Sequence, residues 1–354
     1  MLSCFNNLAP QKKSFGLDIS ERVFRLVQLK KCRNKIKLIS YGELAVPLGV
    51  LKDGKIVQID KAVEIIHQLI SQAQGQSIKT KYVVACLSEL TTFIKLITLT
   101  YPDGKNIIEE IALEAKKHIP YPLEEVYLDW QYTSRNDKSK VLIGVCPKEI
   151  VENYQEVFIK AGLTPLALEI EATAIVRSVF LVKEKVTEPT MILDLGASRT
   201  GLIIYYNNAI PFSLSLPFSC DNLTKILKDK LKISSSDAEL AKSVCGLNKA
   251  KAKGYTFELL KEEANQLAQH IREANYFYQE HFFEQKPVKK LYLTGSGSLI
   301  ANLDKYLSNE VKMEVNYANP LINLTPNNLT IPPIEVTAYT TAIGLALRNF
   351  FLPK

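Results

Sequence analysis

The chain has 354 residues, with 44 Lys+Arg against 37 Asp+Glu and a formal charge of +7. Its hydrophobic content of 47%, with 23% charged residues, is that of a folded protein with a sizeable core and two or three domains, and it excludes extended disorder beyond about the first dozen residues. The apolar runs are of strand length, which leaves no expected membrane-spanning helix. The six cysteines are scattered without a CxxC pair, as in a reducing compartment, and the histidines show no ligand spacing, so no structural zinc is expected.

In chain order, strands are expected at 14–19, 23–30 and 36–46 as an antiparallel meander, because Val23, Arg25 and Val27 alternate with Phe24, Leu26 and Gln28. A helix at 57–74 collects Ile59, Val63, Ile66, Leu69 and Ile70 on one face. Strands at 82–87 and 93–99 follow. From 100 to 163 the texture changes to a compact α+β block: a helix at 107–118, a proline-marked turn, strands at 126–132 and 141–146 around a polar tip at 133–140, and a helix at 148–161 closed by Gly162.

The opening pattern then recurs. A strand at 190–194 ends in Asp194, as the strand at 14–19 carries Asp18 near its end, and each runs through a turn into further strands. Such a duplicated strand–Asp–turn–strand unit implies two similar α/β halves. A helical stretch at about 220–284 is split at 234–237, where serines and an aspartate offer an N-cap, and again at 249–254. A strand at 290–293 enters a glycine-rich turn, and a last helix at 337–350 carries Ala342, Gly344 and Ala346, small enough for close packing.

Three turns carry the candidate chemistry. Asp194 is followed by Gly196, Ala197, Ser198, Arg199 and Thr200; backbone N–H groups and hydroxyls in such a turn can hold phosphate oxygens while the aspartate holds magnesium through water. Gly295, Ser296 and Gly297 stand where a strand hands over to a helix, so the backbone can approach a base or phosphate without a Cβ in the way. Each of these two, alone, reads equally as an ordinary connecting turn. The first turn holds Asp18, Ser20, Glu21 and Arg22.

Together these turns resemble the phosphate and adenosine loops of the sugar kinase, heat-shock-70 and actin superfamily, and the resemblance implies an actin-like ATPase fold: two duplicated ribonuclease-H-like halves, with an inserted α+β subdomain in the first. The expected division is an N-terminal segment 1–13, a first half over 14–99 and 164–185, the insert at 100–163, and a second half at 186–350. Within the superfamily the chain most resembles the PilM family of type IV pilus assembly. The match rests on residues 114–126 around Ile119, Pro120, Tyr121 and Pro122; on Gly162, Leu163, Thr164 and Pro165 with Glu169 and Glu171; on Glu239 and Lys242 at a helix start; and on the turn Tyr317 to Pro320.

That resemblance implies ATP with Mg2+ held between the halves near Asp18 and Asp194, Glu239 and Lys242 beside ribose and base, and the insert as the groove for the N-terminal cytoplasmic peptide of a membrane-anchored PilN-like partner, with Ile119 to Pro122 as its wall. It further implies contact with other pilus platform and motor components, self-association, and a cytoplasmic protein peripheral to the inner membrane through its partners. Glu171 is placed to orient an attacking water, and reads equally as a strand-end carboxylate or helix cap. The first loop departs from the family: Glu21 would repel phosphate, Arg22 would compensate, and Arg25 stands for the usual lysine. Binding is therefore expected with weak or no hydrolysis. A division tether like FtsA, a small-molecule kinase of the same fold and a scaffold without nucleotide are the alternatives. The basic clusters at 30–37, 225–232 and 249–253 read most simply as solvated faces and otherwise as surfaces for anionic lipid or acidic partners; without interleaved aromatics, nucleic acid is not expected.

Overall fold

The computed structural model describes residues 12–102, 106–133, 138–182, 184–282 and 286–351. Most of the expected N-terminal segment, the centre of the polar tip at 133–140 and the end of the helical stretch at Glu284 lie outside the described residues.

The chain forms two compact units. The first comprises the described parts of 1–91, 147–184 and 320–354. Its six-stranded sheet runs in the order Thr164–Ile170, Tyr82–Leu87, Phe15–Ile19, Val23–Cys32, Lys35–Ala45 and Gln74–Gly75. Phe15–Ile19 is buried along its whole length, as a central strand covered on both faces must be. It pairs parallel with Tyr82–Leu87 on one side and antiparallel with Val23–Cys32 on the other.

The second unit comprises the described parts of 92–146 and 185–319 and repeats this plan. Its central strand Thr190–Leu195 pairs parallel with Lys290–Thr294, which pairs parallel with Glu314–Tyr317, and on the other side begins the antiparallel meander Thr200–Tyr206 and Ala209–Leu216. The duplication expected from the two aspartate-ended strands is thus present as sheet topology.

The boundaries of the interrupting block differ from the expected 100–163. In sequence the block still interrupts the first unit, but Phe93–Thr98 pairs antiparallel with Lys140–Pro147 and meets Ala209–Leu216 at Phe212↔Lys95. The block therefore lengthens the second unit's sheet to eight strands, with Val126–Tyr132 at its edge. Helix Lys148–Lys160, expected within the block, belongs to the first unit. Its apolar face of Ile150, Tyr154, Val157 and Phe158 is buried, and Asn153 exchanges hydrogen bonds with the backbone of Ile56 at 2.9 and 3.0 Å. An amphipathic face goes where it is covered, whatever block it adjoins in sequence.

The helical stretch breaks as expected into Cys220–Leu231, Ser235–Val244 and Tyr255–His281. Ser234 caps the second of these by accepting the Asp237 N–H at 3.1 Å. The last helix, Thr340–Leu347 with single 3-10 turns at each end, is buried throughout. A Cβ at Gly344 would fall on the Ala174 carbonyl, and one at Gly16 on that of Ala342, so the small residues let this helix lie against both helix Glu171–Val179 and the central strand.

An ion-pair network missing from the sequence reading fastens the same place. Arg177 donates to both Glu169 oxygens at 2.7 and 2.9 Å and to the Gly344 carbonyl at 2.8 Å, and Arg348 also pairs with Glu169, through Oε1. Burial alone would raise the Glu169 pKa, but the two guanidinium groups outweigh it and hold the carboxyl below its ordinary value of 4.5. A depressed carboxylate contributes stability above its unfolded pKa and loses it as pH falls through the folded one. Urea unfolding of Arg177→Ala at neutral pH should show a loss of about 3 kcal/mol, because a buried charge loses a partner. The deficit against wild type should shrink in acid as Glu169 protonates; a deficit independent of pH would remove the ion pair as its cause.

Candidate functional site

In the first unit three neighbouring parallel strands end together. Phe15–Ile19 brings Asp18, Tyr82–Leu87 brings Cys86, and Thr164–Ile170 delivers Glu171 as the first residue of the next helix. Ligand atoms of Asp18, Cys86 and Glu171 all lie within 4.8 Å of one another. The carboxyl ends of parallel strands are where α/β sheets place ligands, because the helices that follow point their N-termini there.

Asp18 is 6% exposed. Burial raises its pKa to about 6, against the opposing pull of Arg25 and of Cys86, whose thiol donates to Asp18 Oδ1 at 3.7 Å. Burial, and then the carboxylates of Asp18 and Glu171, push the Cys86 thiol well up, so it stays protonated. Arg25 stands opposite Asp18 in one ladder and opposite Glu43 in the next, with its Nε 2.9 Å from the Glu43 carboxylate. Arg25 is therefore shared between the two acids. The oxygens of Asp18 and Glu171 suit a hard cation such as Mg2+, while a protonated thiol does not.

The first turn is closed by its own residues. Ser20 Oγ donates to the Val23 carbonyl at 2.7 Å. Glu21, expected to face phosphate, instead accepts the Asp53 N–H at 3.1 Å. Half-buried Arg22 offers its carbonyl to the Val46 N–H at 2.8 Å. Glu21 is thus anchored to the turn at Asp53.

In the second unit two turns interlock. Gly196 N–H donates to the Arg199 carbonyl at 3.0 Å. The Ala197 carbonyl accepts from Ser219 Oγ and the Asp221 N–H, both at 2.9 Å, which fixes the turn to the start of helix Cys220–Leu231. Buried Thr200 donates its hydroxyl to the Phe218 carbonyl at 3.0 Å. Arg199 turns onto the adjacent strand, where Ser215 accepts from Nε through its hydroxyl at 2.6 Å and from Nη2 through its carbonyl at 3.1 Å. Gly295 has a φ of +79°, and a Cβ there would stand 2.6 Å from Asp194 Oδ1; at Gly297 a Cβ would fall on Cys220 Sγ. These glycines are required by the approach of the two turns to each other. Ser198 and Ser296 remain exposed.

Glu239 and Lys242, expected beside ribose and base, are bonded to each other. Lys242, 7% exposed, gives its ammonium to the Cys220 carbonyl at 3.2 Å, Thr224 Oγ1 at 2.7 Å and Glu239 Oε1 at 2.9 Å. An ammonium has three donors, so Lys242 has none left for a base or ribose and instead clasps helix Ser235–Val244 to helix Cys220–Leu231. Among the expected groove residues, Ile119 is buried in the block's core with Ile97, Ile111, Val141 and Ile143, while Pro120, Tyr121 and Pro122 are exposed. Of these four, only the latter three present surface at this turn.

The comparisons with known proteins agree with this architecture. The sequence profile described as type IV pilus assembly protein PilM matches residues 16–350. Among solved structures, a PilM–PilN type IV pilus biogenesis complex superposes with a TM-score of 0.83 at 21% identity, covering 97% of this chain and 100% of that one. MreB5 of Spiroplasma citri, solved with AMPPNP, gives 0.58 at 12% identity over 96% of each chain. At these identities the likeness is one of fold, the actin-like ATPase fold. Cell division protein FtsA of Streptococcus pneumoniae is 26% identical over 63% of this chain, and the match spans only 54% of that relative's length. FtsA of Buchnera aphidicola is 22% identical over 95% of this chain and 90% of its own.

A carboxyl whose pKa is raised on folding costs stability once pH passes its unfolded value, and the cost levels off above the folded value. For Asp18 that window runs from 3.8 to about 6. Asp18→Asn should therefore be more stable than wild type at pH 7.5, by up to about 3 kcal/mol, and equal to it below about pH 4. Chemical unfolding at the two pH values measures this; an equal or less stable variant at pH 7.5 would show that Asp18 is ionised in the fold without cost.

Proposed function

The chain belongs to the PilM family of type IV pilus assembly proteins, and from that premise we propose that it is a nucleotide-binding adaptor of a pilus or related secretion platform. It works on the cytoplasmic face of the inner membrane, where it takes the N-terminal peptide of a PilN-like membrane protein. The observation that carries the nucleotide part is the pair of interlocked turns beside Asp194, which pack together where Gly295 and Gly297 lack a Cβ and leave the hydroxyls of Ser198 and Ser296 exposed.

In the second unit, the exposed hydroxyls of Ser198 and Ser296 and the adjoining backbone are the groups offered to phosphate and ribose. In the first, the oxygens of Asp18 and Glu171 are the groups offered to hydrated Mg2+, and Glu171 is the candidate for orienting a water. Bound Mg2+ would supply charge neutralisation for phosphate, and it would favour the ionised form of Asp18 that burial disfavours. Arg22 is the cation nearest in sequence to that strand end. With Glu21 anchored on Asp53 and Arg199 on Ser215, the turns hold few mobile charges to follow a developing transition state, which favours binding with weak or no turnover.

The partner peptide is assigned to the block at 92–146. Its exposed Pro120, Tyr121 and Pro122 offer an apolar wall, and Val126–Tyr132 is the edge strand of its sheet, the place where an extended peptide adds to a sheet. Contacts with other platform and motor components and self-association belong to the same reading.

Calorimetry of Mg-ATP and of a synthetic PilN-type N-terminal peptide, each alone and in the presence of the other, tests the two halves of this reading. Asp194→Ala should weaken ATP at least about tenfold and leave the peptide unchanged, whereas Tyr121→Ala should weaken the peptide at least about tenfold and leave ATP unchanged. Peptide binding without ATP binding would mean a scaffold that has lost its nucleotide. ATP binding without peptide binding would favour a kinase or a division tether of the same fold.

A further inference from the structure

The hairpin of Val23–Cys32 and Lys35–Ala45 ends in a concentration of positive charge that the protein does not neutralise. Lys30, Lys31, Arg33 and Lys35 are exposed and Lys37 is half-buried. No acidic residue occurs between Arg22 and Glu43. Among the described residues no ion pair joins any of these five cations to a carboxylate. The strand register sets Lys30 directly opposite Lys37, so one pair of like charges faces across the ladder, an arrangement that costs stability. Arg33 adds to it at a φ of 55°, where Gly or Asn is the less strained choice.

The tip is also held in place. Leu29, Ile36 and Leu38 on the underside are buried in a core with Ile331, Ala342 and Leu347. The Thr325 N–H donates to the Ile36 carbonyl and Asn327 Nδ2 to the Leu38 carbonyl, both at 2.7 Å. A braced ribbon therefore presents the cations, and their mutual repulsion is not relieved by a loose loop.

We infer that this hairpin tip is an electrostatic contact for anionic lipid headgroups of the membrane surface. Lysine, four of the five, is a compact hydrated point charge suited to a diffuse anionic layer more than to bidentate recognition of one partner. Clusters of this size draw a protein to such a layer, and the attraction is screened by salt. No aromatic residue lies between Lys30 and Lys37, so there is no platform on which nucleic-acid bases would stack. The choice of lipid over an acidic protein rests on the proposed platform role at the membrane; the uncompensated charge does not.

The test is co-sedimentation of the full chain, without peptide or nucleotide, on vesicles of three parts phosphatidylcholine to one part phosphatidylglycerol and on pure phosphatidylcholine. Wild type should bind only the anionic vesicles, and less as salt is raised. The variant Lys30→Gln, Lys31→Gln, Arg33→Asn, Lys35→Gln should lose at least about tenfold in partitioning. A matched variant, Lys249→Gln, Lys251→Gln and Lys253→Asn, should retain its binding, and the hairpin variant should unfold at or above the wild-type temperature. Equal binding to neutral vesicles, no binding to either, an equal loss in the matched variant, or preferential binding of polyglutamate or single-stranded DNA at the same salt would each overturn the inference. Peptide calorimetry on the hairpin variant separates the two readings: an unchanged peptide affinity leaves the adaptor role standing when vesicle binding fails.

Discussion

The first unit depends on how closely its last helix can approach the sheet. Gly344 lets helix Thr340–Leu347 touch helix Glu171–Val179, Gly16 lets it touch the central strand, and Arg177 ties the junction by bonding Glu169 and the Gly344 carbonyl together. Because packed interiors transmit displacement, a longer side chain at either glycine would move the strand that carries Asp18 or the helix that begins with Glu171. The network is charged because the polar ends meeting there, a helix carbonyl and a strand carboxylate, are both acceptors, and one planar guanidinium can serve both.

The cluster of Asp18, Cys86 and Glu171 is the consequence. Three strand ends gather two acids and a thiol in a buried place, with Arg25 partly withdrawn by Glu43. Burial without full compensation raises the Asp18 pKa to about 6, so that its ionisation is a cost to folding that a functional site can bear. The second unit solves its own problem differently. There the turns are rigid because their hydrogen bonds close on themselves and on the next helix, which leaves the exposed serines as the groups available to a ligand. One unit stores electrostatic strain, and the other offers preorganised backbone.

On the proposed reading, the interrupting block and the basic hairpin are two interaction surfaces on different units. The block's strands prolong the second unit's sheet, whereas the hairpin belongs to the first. On the proposed reading, a protein partner and a membrane surface are addressed by separate parts of one chain, each braced by its own core.

What sequence alone determined was the local chemistry. The alternation of the meander, the two strands that end in aspartate, the glycines of the turn at 295–297, the caps that split the long helical stretch and the small residues of the last helix are all set by neighbours within a few positions, where period and backbone preference act. The resemblance carried by residues 114–126 placed the chain in its family on the same local basis. Tertiary structure decided what depends on partners distant in sequence. Phe93–Thr98 joined the second unit's sheet and Lys148–Lys160 the first unit, because strand edges and apolar faces are satisfied by whatever covers them. Lys242 was spent on a clasp, Glu21 on a backbone N–H and Ile119 on a core, while Cys86, an ordinary buried strand thiol by its sequence, was brought beside Asp18 by strand register. Donors, acceptors and apolar faces pair by proximity in the fold, and the sequence records their kind without recording that proximity.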